Sequence, residues 1–508
     1  MATNWAFKSY ASENGGRVIL LFLLFLLALY EFITAGFPAF AAVCCLPIAA
    51  LLVLSTFQFR MFVFWALVII NYIIQWKSLP LPGGIPMSMY NEMLEIILLA
   101  MALIDVQRAH FERIGNVMLI ALITWCGFCT LQVLNDTCDI GLDIGAWYTG
   151  ARLMAFQLMY AFLVFSLYIS DSKNLTRYLV LWGALALFAS FWVWKQKNYG
   201  FTAAENAWIQ GRGRSTHILQ GGSLIRYFSI FSDAANYGIG IASTAVAFII
   251  FGITSRVRKF KIFFLATGLI CIWAMFPSGT RTATACLLAG FAFYILLSKS
   301  MKIAVPFSIA FAFFAFILIF TKIGDSNQQI HRMRTAFDKD DASAGARKYN
   351  QAVMKKYLKD APWGIGIAQG YGSVPANNKY TLMSTIPADS EYVYIWIRTG
   401  VIGITIFLIT TVLMLLGACR IVLFKINNPS LRGIGAGLCC AFVSQQLGGY
   451  GNQVLMQFPN CITFYGGLSI VYILPIIEQE WNIYEGELLA KQEEKKRLKL
   501  EKKRASRV

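Results

Sequence analysis

The sequence predicts an all-α polytopic membrane protein, and three observations carry that expectation. Of 508 residues, 57% are apolar and 14% charged, against about 45–50% and about 25% in soluble domains. So few polar residues cannot cover a soluble surface. Apolar runs of about 20 residues, the length that crosses a bilayer core, recur along the chain. Lys and Arg gather in alternate short loops, as they do in multi-spanning proteins. Disorder, collagen and a disulfide scaffold are excluded by the same composition.

In chain order the candidate spans lie near 18–35, 37–56, 61–76, 90–105, 116–134, 150–169, 177–195, 234–254, 262–278, 282–297, 303–321, 392–418, 433–450 and 461–478. Only Gly36-Phe37-Pro38 separates the first two, so about 12–14 helices are expected. The first run follows Lys8 and Arg17 but lacks a cleavage site, and it reads as a transmembrane helix, not a cleaved leader. With the N-terminus inside, the inner loops hold Arg108 and Arg113, Lys173 and Arg177, the run Arg256 to Lys261, Lys299 and Lys302, and Arg420, Lys425 and Arg432. The short outer loops hold little more than Lys77 and Arg281. This orientation also puts the basic tail inside.

Two long segments then fall outside, 196–233 and 322–391. The second carries ten Lys or Arg and seven acids, which long translocated loops tolerate. Its stretch Gly345 to Asp360 reads as a helix, and its Pro, Gly and Trp content suggests a folded cap. The chain accordingly divides into N-terminal helices (1–200), a core with both long loops (201–420), C-terminal helices (421–480) and a basic tail (481–508).

The formal charge of +18 first suggests nucleic acid. Its densest part is the tail from Lys491 to Val508, with nine Lys or Arg and three Glu. That tail reads as lying on anionic membrane lipids, and no nucleic-acid partner is expected. Most of the eleven cysteines lie in apolar runs, where Cys behaves as a small hydrophobe. Cys126 and Cys129 form a C-x-x-C inside a span with no second pair or His cluster. No metal site and no cofactor are expected.

Charged residues at span ends on one side are the best functional pointers, and four outer sites stand out. Leu224 to Gly238 places Arg226 before a span and Asp233 and Asn236 at its start. Pro277-Ser278-Gly279-Thr280-Arg281 breaks two apolar helices. Asp340-Asp341 precede Ser343 and Arg347, followed by Pro362-Trp363-Gly364-Ile365-Gly366. Asp389-Ser390-Glu391 opens a span that contains Arg398, Gly400 and Gly403.

In order and spacing over about 220–420, these four sites resemble the motif set of the O-antigen ligase and polymerase superfamily, the WaaL-type ligases and Wzy-type polymerases. The resemblance implies a GT-C-like glycosyltransferase with a large periplasmic loop cap, set in a bacterial inner membrane with its C-terminus cytoplasmic. It implies a glycan moved from undecaprenyl pyrophosphate, at the periplasmic face, to lipid A core or to another lipid-linked repeat. Arg226, Arg281 and Arg347 would then bind the pyrophosphate without a metal, with Asp233, Asn236, Ser278 and Arg152 in support. Ligases of the family carry His-Asn where this chain has Asp389-Ser390-Glu391, so either Asp389 or Glu391 could act as general base. His110 is excluded by its cytoplasmic side, while His217 and His331 lie in the outer loops.

Structural alternatives stand beside each role. Arg226 and Arg281 could anchor helix ends, Arg347 could pair with Asp340 or Asp341, and Asp389 could be only an N-cap. Glu391 could take a loop Arg as its partner. Protein O-oligosaccharyltransferase remains an alternative activity. A lipid-linked oligosaccharide flippase is a further one, disfavoured because no internal repeat is visible and the ionisable residues cluster at one face.

Overall fold

The computed structural model describes residues 60–79, 87–106, 110–219, 224–298, 305–310 and 342–505, with a few isolated residues elsewhere. The chain forms two compact units, Met1–Trp65 and Ala66–Val508. Candidate spans 18–35 and 37–56 lie almost wholly outside the described residues, as does most of 303–321.

Every other predicted span is occupied by a helix. In chain order these are α1 (Arg60–Ile73), α2 (Met87–Ile104), α3 (Val117–Leu131), α4 (Ile144–Tyr168), α5 (Ser172–Tyr199), α6 (Ala234–Thr254), α7 (Arg258–Met275) and α8 (Arg281–Leu297). The loop helix α9 (Ala342–Leu358) follows, then α10 (Glu391–Phe424), α11 (Pro429–Gly451) and α12 (Asn460–Ala505). Among the described residues, α3 to α7, α10 and α12 are long and apolar enough to cross a membrane. The protein is an all-α polytopic membrane protein. The one strand pair among the described residues, Ile218–Leu219 with Leu224–Ile225, is a short antiparallel ladder in the first long loop.

Polar residues at helix starts explain where several elements begin. Asn116, Asp143, Asp171 and Asp233 accept backbone N–H groups of the first turn, satisfying donors that a helix start leaves orphaned. The centre is α6, buried on nearly all sides and packed against α7, α8 and α11. Small residues permit that closeness, as they do between membrane helices generally. A Cβ at Gly437 of α11 would sit 2.5 Å from the Phe251 ring of α6. Around this centre, α12 packs on α4 and α11, and α10 on α3.

The second long loop is folded. Its helix α9 covers most of the predicted Gly345–Asp360 stretch. Met354 and Leu358 of α9 share a small core with Ala361, Ile365, Val374, Tyr380, Met383, Cys138 of the α3–α4 loop and Ile397 of α10.

This cap is fastened to α10 at a break in the helix. Gly400 stands at φ 68° and ψ −171°, a conformation that glycine alone adopts freely. The break leaves the carbonyls of Ile397 and Arg398 to the cap: Ile365 N–H donates to the first at 2.9 Å and Gly366 N–H to the second at 3.0 Å. A Cβ at Gly400 would lie 2.0 Å from the Pro362 carbonyl oxygen and 2.4 Å from the Gly364 nitrogen. Nearby, the Trp363 carbonyl accepts from Asn135 and Gln132, and the Trp363 ring stacks on Phe128. Gly400→Ala is therefore expected to cost about 1–3 kcal/mol or more from backbone strain alone, seen as a lower melting temperature in detergent. Gly127→Ala, inside α3 with open space around its Cβ, should leave the melting temperature unchanged or slightly raised.

Candidate active site

Beneath the cap fastening lies a cavity of about 430 Å³, within the usual range for ligand sites. Gly150 and Thr149 of α4, Ile367, Ala368 and Gly370 of the cap, Glu391, Tyr394 and Arg398 of α10, and Gln453, Met456 and Gln457 of the α11–α12 loop line it. Residues 391, 394 and 398 share one face of a helix, at the i, i+3, i+7 spacing. Arg398 lies two turns, about 10 Å, further into the span than Glu391.

Glu391 opens α10 and is 2% exposed. One carboxylate oxygen accepts the Leu455 N–H at 3.0 Å. The start of α10 is tied to α11 around it: Ser390 Oγ donates to the Gly449 carbonyl at 3.1 Å and Tyr392 hydroxyl to the Gln446 carbonyl at 3.0 Å. Gln453, in the cavity wall, donates to the Ala388 carbonyl. Asp389 is exposed at the turn before the helix and is not among the lining residues.

The other predicted residues form neighbouring layers. Asp233 caps α6 by accepting from Ala235 and Asn236 N–H at 2.8 and 3.0 Å. The Ser232 hydroxyl bridges Asp233 to the cavity residue Gln457. Asn236 Nδ2 donates to Ser232 Oγ and to the Phe458 carbonyl, and Asn460 Nδ2 donates to Asn236 Oδ1. The start of α6 thus holds the loop that carries Gln453 and Gln457.

Arg226 donates through Nε to the Ser278 carbonyl at 3.1 Å, through one terminal nitrogen to the Thr216 carbonyl at 3.0 Å, and through the other to Thr280 Oγ1 at 3.0 Å. It therefore clips the turn that precedes Arg281, the half-buried first residue of α8. Within the turn, Ser278 Oγ donates to the Met275 carbonyl at 2.7 Å. Arg152 stands on α4 in a π-helical turn, Arg152–Phe156, and forms a buried ion pair with Glu92 of α2 at 2.9 Å. Arg347 falls in α9, but its side chain lies outside the described residues, as do Asp340, Asp341 and His331. Among the described residues no group of three His, Cys, Asp or Glu could hold a metal ion.

His217 packs beneath Trp208 and Phe228. Its Nε2 accepts the Ala234 N–H at 3.0 Å, while Nδ1 faces the Gly213 carbonyl at 3.1 Å. That pairing fixes the neutral ring with its proton on Nδ1. Burial first, then the Arg226 guanidinium, push its pKa down to about 4.

Sequence reasoning placed Glu391 among the catalytic candidates, named Arg398 in the same site without giving it a role, and gave none to Tyr394, Gln453 or Gln457. Arg398 had a visible signal, a cation in an apolar helix at helical spacing from Glu391. The two glutamines had none, because only the folded loop turns them toward the cavity.

Fold and site together define a polytopic membrane protein with a polar cavity at one end of its helices, roofed by a folded loop. Residues 265–408 match the family described as O-antigen ligase, which is consistent with the O-antigen ligase/polymerase superfamily. The match runs from within α7 through the cap to within α10, so it contains Ser278, Arg281, Glu391 and Arg398. No curated protein matches the chain.

The His217 geometry sets a pH dependence. An unfolded His takes up a proton near its usual pKa of about 6.5, whereas the folded one does so only at about 4. The unfolded state binds more protons between these values, so stability is full above about pH 6.5 and declines as pH falls toward 4. Melting temperature measured across that window should fall by less in His217→Gln than in the wild type.

Proposed function

We propose that this protein is a membrane glycosyltransferase of the O-antigen ligase/polymerase type. It transfers a glycan from undecaprenyl pyrophosphate to a sugar acceptor, lipid A core or another lipid-linked repeat, at the periplasmic face of the bacterial inner membrane. The observation that carries this reading is a buried carboxylate, Glu391, lining a ligand-sized cavity within the segment that matches the ligase family. The basic tail is then cytoplasmic, in keeping with the distribution of Lys and Arg among the short loops.

In this reading Glu391 takes the proton of the acceptor hydroxyl. The hydroxyl oxygen bonds to the anomeric carbon of the donor sugar, the bond from that carbon to the pyrophosphate oxygen breaks, and undecaprenyl pyrophosphate leaves with the bonding pair. No external oxidant, reductant or further group is needed. Asp389, exposed at the turn before the helix, is the second carboxylate able to receive the proton. Positive charge on the leaving side lowers the barrier, because it meets charge that grows in the transition state. Arg281 and Arg347 are the proposed ligands there. Arg226 supports them by holding the turn before Arg281, and Asp233, Asn236 and Ser278 hold the adjoining backbone. The Arg152–Glu92 pair stiffens the α4 wall. The Gln and Tyr side chains of the cavity offer donors and acceptors suited to sugar hydroxyls.

Removing a general base typically costs 10²–10⁴-fold. Glu391→Gln should therefore reduce transfer by at least about 100-fold with the melting temperature preserved, whereas Asp389→Asn should retain most of it. Complementing a gene deletion with each variant and resolving the surface glycan on a gel measures this. Collapse of the ladder to one repeat identifies a polymerase, loss of glycan from lipid A a ligase, and unglycosylated proteins a protein O-oligosaccharyltransferase. An intact glycan in the deletion strain overturns the reading.

A further inference from the structure

Arg398 is 7% exposed, inside an apolar helix. Its guanidinium lies over the Tyr394 ring at 5.1 Å, and among the described residues it makes no ion pair or side-chain hydrogen bond. Glu391 shares its helix face and its cavity but is two turns away. None of its guanidinium nitrogens is among the buried polar atoms without a partner, so its donors open onto the cavity, where a partly desolvated cation gains most from an anionic partner.

The backbone that carries this cation is nevertheless held tightly. The Arg398 carbonyl accepts from Gly366, the preceding carbonyl accepts from Ile365, and the break at Gly400 follows two residues later. A Cβ at Gly364 would lie 2.5 Å from the Arg398 carbonyl carbon, so cap and helix meet without a gap at this residue. A costly charge held in a fixed position and facing an open cavity has the character of a preorganised binding group.

We infer that Arg398 is the anchor for a phosphate-bearing anion in this cavity, through paired N–H donors to phosphate oxygens. Arg suits this ligand because its planar fork matches two phosphate oxygens at once. The order of groups along α10 fits an amphiphile. Arg398 lies deeper in the span and Glu391 at its end, so a phosphate borne on a lipid meets the guanidinium while the attached sugar points outward to the carboxylate. The spacing leaves room for an anomeric carbon and an acceptor hydroxyl between base and leaving group. The anion site stands on geometry alone; its identification with the leaving pyrophosphate rests on the glycosyl-transfer reading.

The test is melting of the purified full-length protein in detergent, titrated with geranylgeranyl pyrophosphate, with geranylgeraniol, and with inorganic pyrophosphate. The wild type should be stabilised saturably by the lipid pyrophosphate and not by the alcohol. Stabilisation by inorganic pyrophosphate as well would show that the anion is recognised without its lipid, and its absence that the lipid-borne form is required. Arg398→Gln should weaken binding at least tenfold, Arg398→Lys should recover part of it, and Glu391→Gln should bind like the wild type. Without ligand, Arg398→Gln should melt at or above the wild-type temperature, since an unpaired buried charge has been removed. A purely structural arginine would instead lower it. Binding by Arg398→Gln within twofold of wild type, or no binding by the wild type, overturns the proposal. Arg398-dependent binding together with a surface glycan unaffected by Glu391→Ala overturns the transfer reading and leaves the anion site.

Discussion

Much of the site hangs on two hydrogen bonds to α10 and the helix break beside them. At Gly400 the helix gives up its regular ladder, and the carbonyls of Ile397 and Arg398 become acceptors for Ile365 and Gly366 of the cap. A backbone carbonyl at that depth needs a partner, and the cap supplies it. The fastening brings Ile367, Ala368 and Gly370 over the cavity, sets Trp363 against Phe128, and turns the face of Glu391 and Arg398 inward. Two glycine-bearing motifs far apart in sequence, at 362–366 and 400–403, are the two halves of this joint. Gly364 and Gly400 are glycines because backbone meets backbone there.

A second layer of order comes from amides and hydroxyls. Ser232, Asn236 and Asn460 join the start of α6 to the loop between α11 and α12, and Ser390 and Tyr392 join α10 to the end of α11. Neutral groups suit this work, since they need no counter-charge when buried. The charged groups are spent sparingly. Arg152 pairs with Glu92, Arg226 is engaged by carbonyl and hydroxyl oxygens, and Glu391 accepts a backbone N–H. Among the described residues, the partner of Arg398 is an aromatic face.

The helices were legible because bilayer length and apolar run length are the same physical quantity, so spans such as 234–254 coincide with α6 to the residue. The candidate site was legible in part. A carboxylate at the start of a long apolar helix marks itself, which is how Glu391 emerges from the sequence. The part Arg226 plays in holding the turn before Arg281 was not legible, because two of its acceptors, the Ser278 carbonyl and Thr280, lie some fifty residues on. Gln453 and Gln457 sit in a short polar loop indistinguishable by composition from any other. His217, one of two outer-loop histidines, is a helix-start acceptor, a role set by the backbone of Ala234 and not by any local pattern.

The sequence by itself determined that this chain lives in a bilayer, where most of its helices run, and which few charged residues stand at their ends. Those are properties of local composition, and water and lipid read them residue by residue. Only the tertiary structure decided which of those charges share a cavity. That depended on long-range backbone contacts, at Gly400 and Gly364 above all, whose effect on a distant arginine or glutamine has no trace in the spacing of the residues themselves.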